Sequence, residues 1–124
     1  MTEATDAALA PTPRATISVF LADDNVIVRE GVRALLARAN DITVVGVADD
    51  LDSLISGAVL HTPDVVVSDI RMPPNFQSEG IEGCKEIRKR LPGTGVVILS
   101  QFDDPDYAIA LLSGGAAGYA YLLK

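Results

Sequence analysis

Five short apolar runs, several of them rich in β-branched residues, recur along this chain of 124 residues. They occupy residues 16 to 22, 42 to 48, 65 to 68, 95 to 100 and 118 to 123. A strand with one face in water shows a polar residue at every second position, whereas these runs are almost uninterrupted. They therefore predict strands that are buried on both faces of a parallel sheet.

Helical patterns fill the intervals between the runs. Apolar residues lie along one helical stripe in residues 25 to 39, 49 to 61 and 81 to 91. A fourth helix is expected over residues 105 to 113, because Pro105 suits a first helical turn and a glycine pair follows the segment. Strands that alternate with helices at this spacing indicate right-handed βαβ units, and so an α/β fold with helices around a parallel sheet.

Charged residues follow these runs directly. Asp23 and Asp24 come after the first run, Asp69 comes after the third, and Lys124 closes the fifth. In an open α/β sheet, ligands bind beyond the carboxyl ends of the strands, so these side chains are expected to converge. Crowded carboxylates repel one another unless a cation compensates, and Mg²⁺ is a suitable hard, oxygen-binding ion. Lys124 would supply the remaining positive charge.

Composition limits the function. The length suits one domain, and 48% of the residues are hydrophobic. A net charge of -7 argues against direct contact with nucleic acid, so any action on DNA needs another domain. One cysteine and one histidine exclude an internal disulfide and a zinc cluster, and a reducing, cytoplasmic location fits. Residues 1 to 15 lack the pattern of a signal peptide or a membrane anchor and are interpreted as a flexible tail.

Four segments, LADDN, VVVSDIRMPP, VVILS and YLLK, follow one another at suitable spacing. With them the chain resembles the receiver domains of two-component response regulators over residues 16 to 124. The segments REGVRALL, DIRMPP and GAAGYAYLLK are most similar to those of the LuxR/NarL-type transcriptional subgroup. The resemblance implies a flavodoxin-like (CheY-like), doubly wound sheet of five parallel strands in the order 2-1-3-4-5.

The resemblance also implies roles for the charged residues. Asp69 would be the phosphoacceptor and would take a phosphoryl group from a sensor histidine kinase. Asp24 and Asp69 would bind Mg²⁺ directly, together with the backbone carbonyl of Arg71, while Asp23 would act closely or through water. Lys124 would bind one phosphoryl oxygen. Such a chain is a regulatory domain that catalyses only its own phosphorylation and dephosphorylation, and it is not otherwise an enzyme.

Switching residues follow from the same resemblance. The Ser100 hydroxyl would bond a phosphoryl oxygen and move inward, and Tyr121 would fill the space that it leaves. Tyr119 is a rival, because the strand reads GYAYLLK where many relatives have GYLLK. The altered surface would favour a homodimer, with DNA reached only through a separate C-terminal effector domain. Gln101 follows Ser100, and we hypothesise that its long side chain screens the phosphoaspartate from water.

Other interpretations accompany this one. A receiver-like adaptor that does not depend on phosphorylation would keep the same fold, and an aspartyl-phosphate phosphohydrolase is a less favoured alternative. The printed chain stops at Lys124, before the fifth helix of such domains, which suggests a segment of a longer protein, a dimer that covers the sheet face, or both. Asp24 or Asn25 can cap the first helix, whereas Cys84 suits core packing and His61 suits a helix end.

Overall fold

The computed structural model describes residues 16 to 100 and 118 to 123, apart from the side chain of the last of these. Five strands and three helices lie in these ranges: β1 (Ile17–Ala22), α1 (Val26–Ala37), β2 (Ile42–Ala48), α2 (Leu51–His61), β3 (Val65–Asp69), α3 (Glu79–Arg90), β4 (Gly95–Ser100) and β5 (Tyr119–Leu123). The expected tail over residues 1 to 15, the expected helix over residues 105 to 113, Gln101 and Lys124 lie outside the described residues.

The strands form one parallel sheet in the order β2-β1-β3-β4-β5, which confirms the predicted fold. The register places Ala22 opposite Ser68, so the residues after β1 and at the end of β3 are neighbours. Asp69 in turn lies opposite Leu99 of β4. Because all five strands point the same way, their carboxyl ends share one edge of the sheet.

The helices that the structure describes cover the two faces of the sheet unequally. On the face of α2 and α3, Phe20, Leu54 and Ile87 are completely enclosed, and each such side chain contributes about 1.5 to 3 kcal/mol by leaving water. The other face carries α1, in which no residue is fully buried. Among the described residues, the face of α2 and α3 therefore holds the larger buried core.

Side-chain hydrogen bonds define where the helices begin. The Asn25 carboxamide oxygen accepts the backbone N–H groups of Ile27 and Val28 at 3.0 and 3.1 Å, so Asn25 caps α1. Asp50 caps α2 through a reciprocal pair of bonds with Ser53. These caps decide the choice between Asp24 and Asn25 and leave the Asp24 side chain available to the sheet edge.

The remaining sequence expectations concern two side chains and one boundary. Cys84 is buried in the core, as expected, and burial raises the pKa of its thiol to about 12. The His61 ring lies at the end of α2 and stacks on Phe20 with 5.9 Å between ring centroids. Helix α3 begins at Glu79, two residues before the apolar stripe predicted. Within the described residues, the helices are too short or too polar to cross a membrane.

Candidate phosphoacceptor and cation site

Three carboxylates meet at the carboxyl edge of the sheet. Asp23 and Asp24 follow β1, and Asp69 is the last residue of β3. Each offers one oxygen, and these oxygens all lie within 4.8 Å of one another. Asp23 is only 3% exposed, whereas Asp24 is exposed and Asp69 is intermediate. The structure therefore brings together the three acids that the strand pattern singled out.

Backbone hydrogen bonds orient two of these acids. One Asp23 carboxylate oxygen accepts the Asn25 N–H at 2.9 Å, and one Asp69 oxygen accepts the Ile70 N–H at 2.9 Å. The Asp23 carbonyl oxygen accepts a hydrogen bond from the Arg29 guanidinium at 3.1 Å. These bonds hold the two turns in place, so the acids present oxygens in fixed directions to whatever occupies the space between them.

The three oxygens fit a small, hard divalent cation. Mg²⁺ binds oxygen at about 2.0 to 2.1 Å, so two ligands on opposite sides of the ion lie about 4.2 Å apart. The three carboxylate oxygens lie within 4.8 Å of one another, which is slightly wider than this ligand separation. A small rotation of the exposed Asp24 side chain, or a water between one acid and the ion, closes that difference. The donor set therefore suits Mg²⁺.

Helix α3 packs closely against the end of β3 at Gly80. The Gly80 N–H donates to the Ile70 carbonyl oxygen at 2.8 Å. A side-chain carbon added at Gly80 would overlap the Asp69 carbonyl oxygen and lie 2.8 Å from the Asp69 carbonyl carbon. Only glycine allows this approach, so the first turn of α3 and the backbone of Asp69 form one packed unit.

A buried acid that the sequence reasoning missed lies one residue earlier. Glu79 is 2% exposed, and its carboxylate accepts the backbone N–H groups of Asn75 and Gln77 at 2.6 and 2.8 Å. Burial raises the pKa of Glu79, but these N–H groups outweigh that effect and hold its pKa below the ordinary value. The available sequence signal was an acid in the first turn of a helix after a polar loop whose N–H groups need acceptors.

The proposed switching residues lie on the two strands beyond β3. Ser100 ends β4, is fully buried, and lies one residue beyond the position opposite Asp69. Tyr121 lies opposite Ile98 and packs against the core on the α2–α3 side of the sheet. Tyr119 packs there too, and the Arg88 guanidinium lies 4.9 Å from its ring centroid. Lys124 is outside the described residues, so its contacts stay a prediction.

Comparisons with known proteins agree with this geometry. The family model described as response regulator receiver domain matches residues 19 to 124. The uncharacterized transcriptional regulatory protein YxjL of Bacillus subtilis is 43% identical over 108 residues, which are 87% of this chain and 47% of that protein. The chain thus spans about half the length of the curated relatives it matches.

Two solved structures show the same fold. The signal receiver domain of NarL from Mycobacterium tuberculosis superposes with a TM-score of 0.76 at 32% identity, covering 87% of this chain and 83% of that one. The isolated receiver domain of RcsB from Salmonella enterica serovar Typhimurium, solved with phosphomimetic BeF3⁻, gives 0.70 at 28% identity and covers 79% and 71%. Taken with the strand order of the sheet, these findings show that the chain belongs to the response regulator receiver domain family and resembles its NarL/LuxR-type members.

Proposed function

We propose that Asp69 accepts a phosphoryl group from a sensor histidine kinase and that this modification controls the protein. The observation that carries the proposal is the convergence of Asp69 with Asp23 and Asp24 at the carboxyl edge of the sheet. The RcsB receiver was solved in the presence of phosphomimetic BeF3⁻, and this supports phosphorylation as the relevant chemistry.

The transfer step balances with these groups. An Asp69 carboxylate oxygen attacks the phosphorus of a phosphohistidine, and an O–P bond forms while the N–P bond breaks. The electron pair returns to the imidazole nitrogen, which then takes a proton. The transition state spreads negative charge over the equatorial phosphoryl oxygens, so positive charge close to Asp69 accelerates the step.

Four groups of this chain would hold the cation. Asp24 and Asp69 would bind Mg²⁺ through carboxylate oxygens, Arg71 would bind it through its backbone carbonyl, and Asp23 would act closely or through water. Bound Mg²⁺ would neutralise the phosphoryl oxygens during transfer. Lys124 would contribute an ammonium group to the same oxygens.

The structure favours Tyr121 over Tyr119 as the aromatic partner of Ser100. Tyr121 lies opposite Ile98, two positions before Ser100, while Tyr119 lies two positions further from the site. The guanidinium over its ring also gives Tyr119 a separate packing role. Phosphorylation would draw the Ser100 hydroxyl toward the phosphoryl group, and Tyr121 would then turn into the vacated space.

The output of this switch would be a homodimer that acts on DNA. The relative YxjL is described as a transcriptional regulatory protein, and the chain matches only about half of it. The net charge of -7 makes this domain a poor surface for the phosphate backbone, so a separate C-terminal effector domain would make the DNA contact. A cytoplasmic location, and a catalytic role restricted to its own phosphorylation, complete the proposal.

Intact mass spectrometry tests the central step. The chain is incubated with Mg²⁺ and acetyl phosphate, beside Asp69→Asn and the control Asp49→Asn. Asp49 follows β2 at the same sheet edge, is exposed, and lies outside the acidic cluster. We expect one added phosphoryl group on the parent and on Asp49→Asn, and none on Asp69→Asn. Equal labelling of all three refutes the proposal, while a parent without label favours the phosphorylation-independent adaptor.

A further inference from the structure

The loop between β3 and α3 has a shape that its own backbone does not favour. Phe76 has φ 54° and is 52% exposed at the surface of this loop. An L residue with a bulky side chain is strained in this left-handed region by about 1 to 2 kcal/mol. Since about half of Phe76 stays exposed, its own burial offsets only part of this strain, and other contacts must help to hold the loop in this conformation.

The Glu79 carboxylate supplies these contacts. Its two oxygens accept the N–H groups of Asn75 and Gln77, the two residues that flank Phe76. The Phe76 N–H itself donates to the Met72 carbonyl oxygen at 2.9 Å. Three consecutive backbone N–H groups are therefore bonded, two of them to a single buried side chain.

A further contact connects Glu79 to the expected cation ligand. The Met72 backbone N–H also faces the Glu79 carboxylate and lowers its pKa. The peptide bond between Arg71 and Met72 is trans, and in a trans peptide the N–H and the C=O point in opposite directions. Turning the Met72 N–H toward the buried Glu79 therefore turns the Arg71 carbonyl away from it.

The first turn of α3, which contains Glu79, is also connected to Asp69. Gly80 directly follows Glu79, donates to the Ile70 carbonyl, and packs its α-carbon against the Asp69 carbonyl. The first turn of α3 thus touches the backbone on both sides of Arg71. A loop that moved relative to this turn would separate the Arg71 carbonyl from the Asp69 carboxylate.

We infer that Glu79 is a positioning residue for the cation site: its buried carboxylate holds the β3–α3 loop so that the Arg71 carbonyl faces the ion shared by Asp24 and Asp69. The inference rests on the proposed function, because it takes Mg²⁺ as the ligand. It also gives a role to the segment NFQSEG, residues 75 to 80, which contains Glu79 and leads into α3.

Mg²⁺ binding to the full chain, measured by titration calorimetry, tests this role. Glu79→Gln keeps the shape of the side chain, but it replaces one accepting oxygen with an NH₂ group that faces a loop N–H. We expect the Kd for Mg²⁺ to rise roughly 10-fold to 100-fold, as for other residues that orient metal ligands. At saturating Mg²⁺, acetyl phosphate should label Glu79→Gln at nearly the parent rate, because Asp69 itself is intact.

Glu82→Gln is the matched control. Glu82 lies in the same first turn of α3, is exposed, and accepts a hydrogen bond from the Ser78 hydroxyl at 3.0 Å. It carries the same charge, but its bond is to a side chain and not to the loop backbone. We expect this variant to bind Mg²⁺ like the parent. Equal weakening in both variants shows a general charge effect and overturns the inference, as does unchanged affinity in Glu79→Gln.

Amide hydrogen exchange on the parent without Mg²⁺ covers the case in which Glu79→Gln does not fold. The amides of Asn75 and Gln77 should already be protected, because Glu79 holds them before any ion binds. Exchange at the rate of an unstructured loop overturns the inference. A parent with protected amides that binds no Mg²⁺ refutes the proposed function, and the role of Glu79 toward the ion with it.

Discussion

Replacing Gly80 with alanine should damage the junction between β3 and α3. The new carbon would overlap the Asp69 carbonyl oxygen and lie 2.8 Å from the Asp69 carbonyl carbon and 3.0 Å from the Ile70 α-carbon. All three are backbone atoms of the central sheet and its exit, so they cannot rotate aside as a side chain would. The helix start must therefore move away from Asp69.

The expected loss of stability combines opposing terms. Alanine in place of glycine favours a helix interior by about 1 kcal/mol, less in a first turn. Overpacking costs about 1 to 3 kcal/mol, occasionally more, and the overlap here is with rigid atoms. Weakening the Gly80–Ile70 hydrogen bond adds about 1 kcal/mol. We expect a net loss of about 2 to 3 kcal/mol in the free energy of unfolding, or roughly 10 °C in Tm.

Urea unfolding followed by far-UV circular dichroism measures this loss. Gly31→Ala in α1 is the matched control, because a carbon added there meets nothing within 4 Å and Gly31 is exposed. We expect Gly31→Ala to gain up to about 1 kcal/mol. If Gly80→Ala is as stable as the parent, or if both variants lose stability equally, the close approach of α3 to Asp69 is not as described.

Three other expectations follow. Thr62 is exposed, precedes Pro63 and ends α2 in the left-handed conformation, with φ 44°. Thr62→Gly should therefore raise the free energy of unfolding by about 1 kcal/mol, measured by urea unfolding. Equal stability of the variant and the parent would contradict the left-handed end of α2. Hydrogen bonds from the Ser53 hydroxyl and N–H lower the pKa of Asp50, so its stabilisation is present above pH 3.8 and lost as pH falls below it. Asp50→Ala should therefore cost about 1 kcal/mol at pH 7 and less near pH 3. Burial raises the pKa of the Cys84 thiol from 9.0 to about 12, so this thiol should react with Ellman's reagent only on unfolding. The neutral buried thiol should contribute stability that is lost as the pH rises from 9.0 to about 12.

Much of the fold was readable from local patterns. The apolar runs predicted the five strands, and the apolar stripes predicted the three described helices. The family resemblance supplied the strand order that the sheet has. Asp23, Asp24 and Asp69 could be grouped without coordinates, because parallel strands bring their carboxyl ends to one edge. Ser100 is placed beside Asp69 by the same argument.

The loop after β3 was not readable in this way. The apolar stripe predicted over residues 81 to 91 begins at Ile81, so the sequence placed Glu79 before the helix. In the fold, Glu79 begins α3 and is buried, because loop N–H groups turn inward and need an acceptor. Likewise, only the coordinates show that Gly80 touches the Asp69 backbone.

The difference between the parts of the structure that the sequence predicted and the parts that it did not predict has a physical cause. Strand and helix periodicities repeat over a few residues, so the sequence by itself determined the elements and the edge at which the acids collect. An irregular loop has no period, and its conformation depends on which distant donor and acceptor can meet without leaving a buried polar group unpaired. The tertiary structure alone therefore decided that the Glu79 carboxylate accepts the loop N–H groups and that Gly80 sits against the Asp69 backbone.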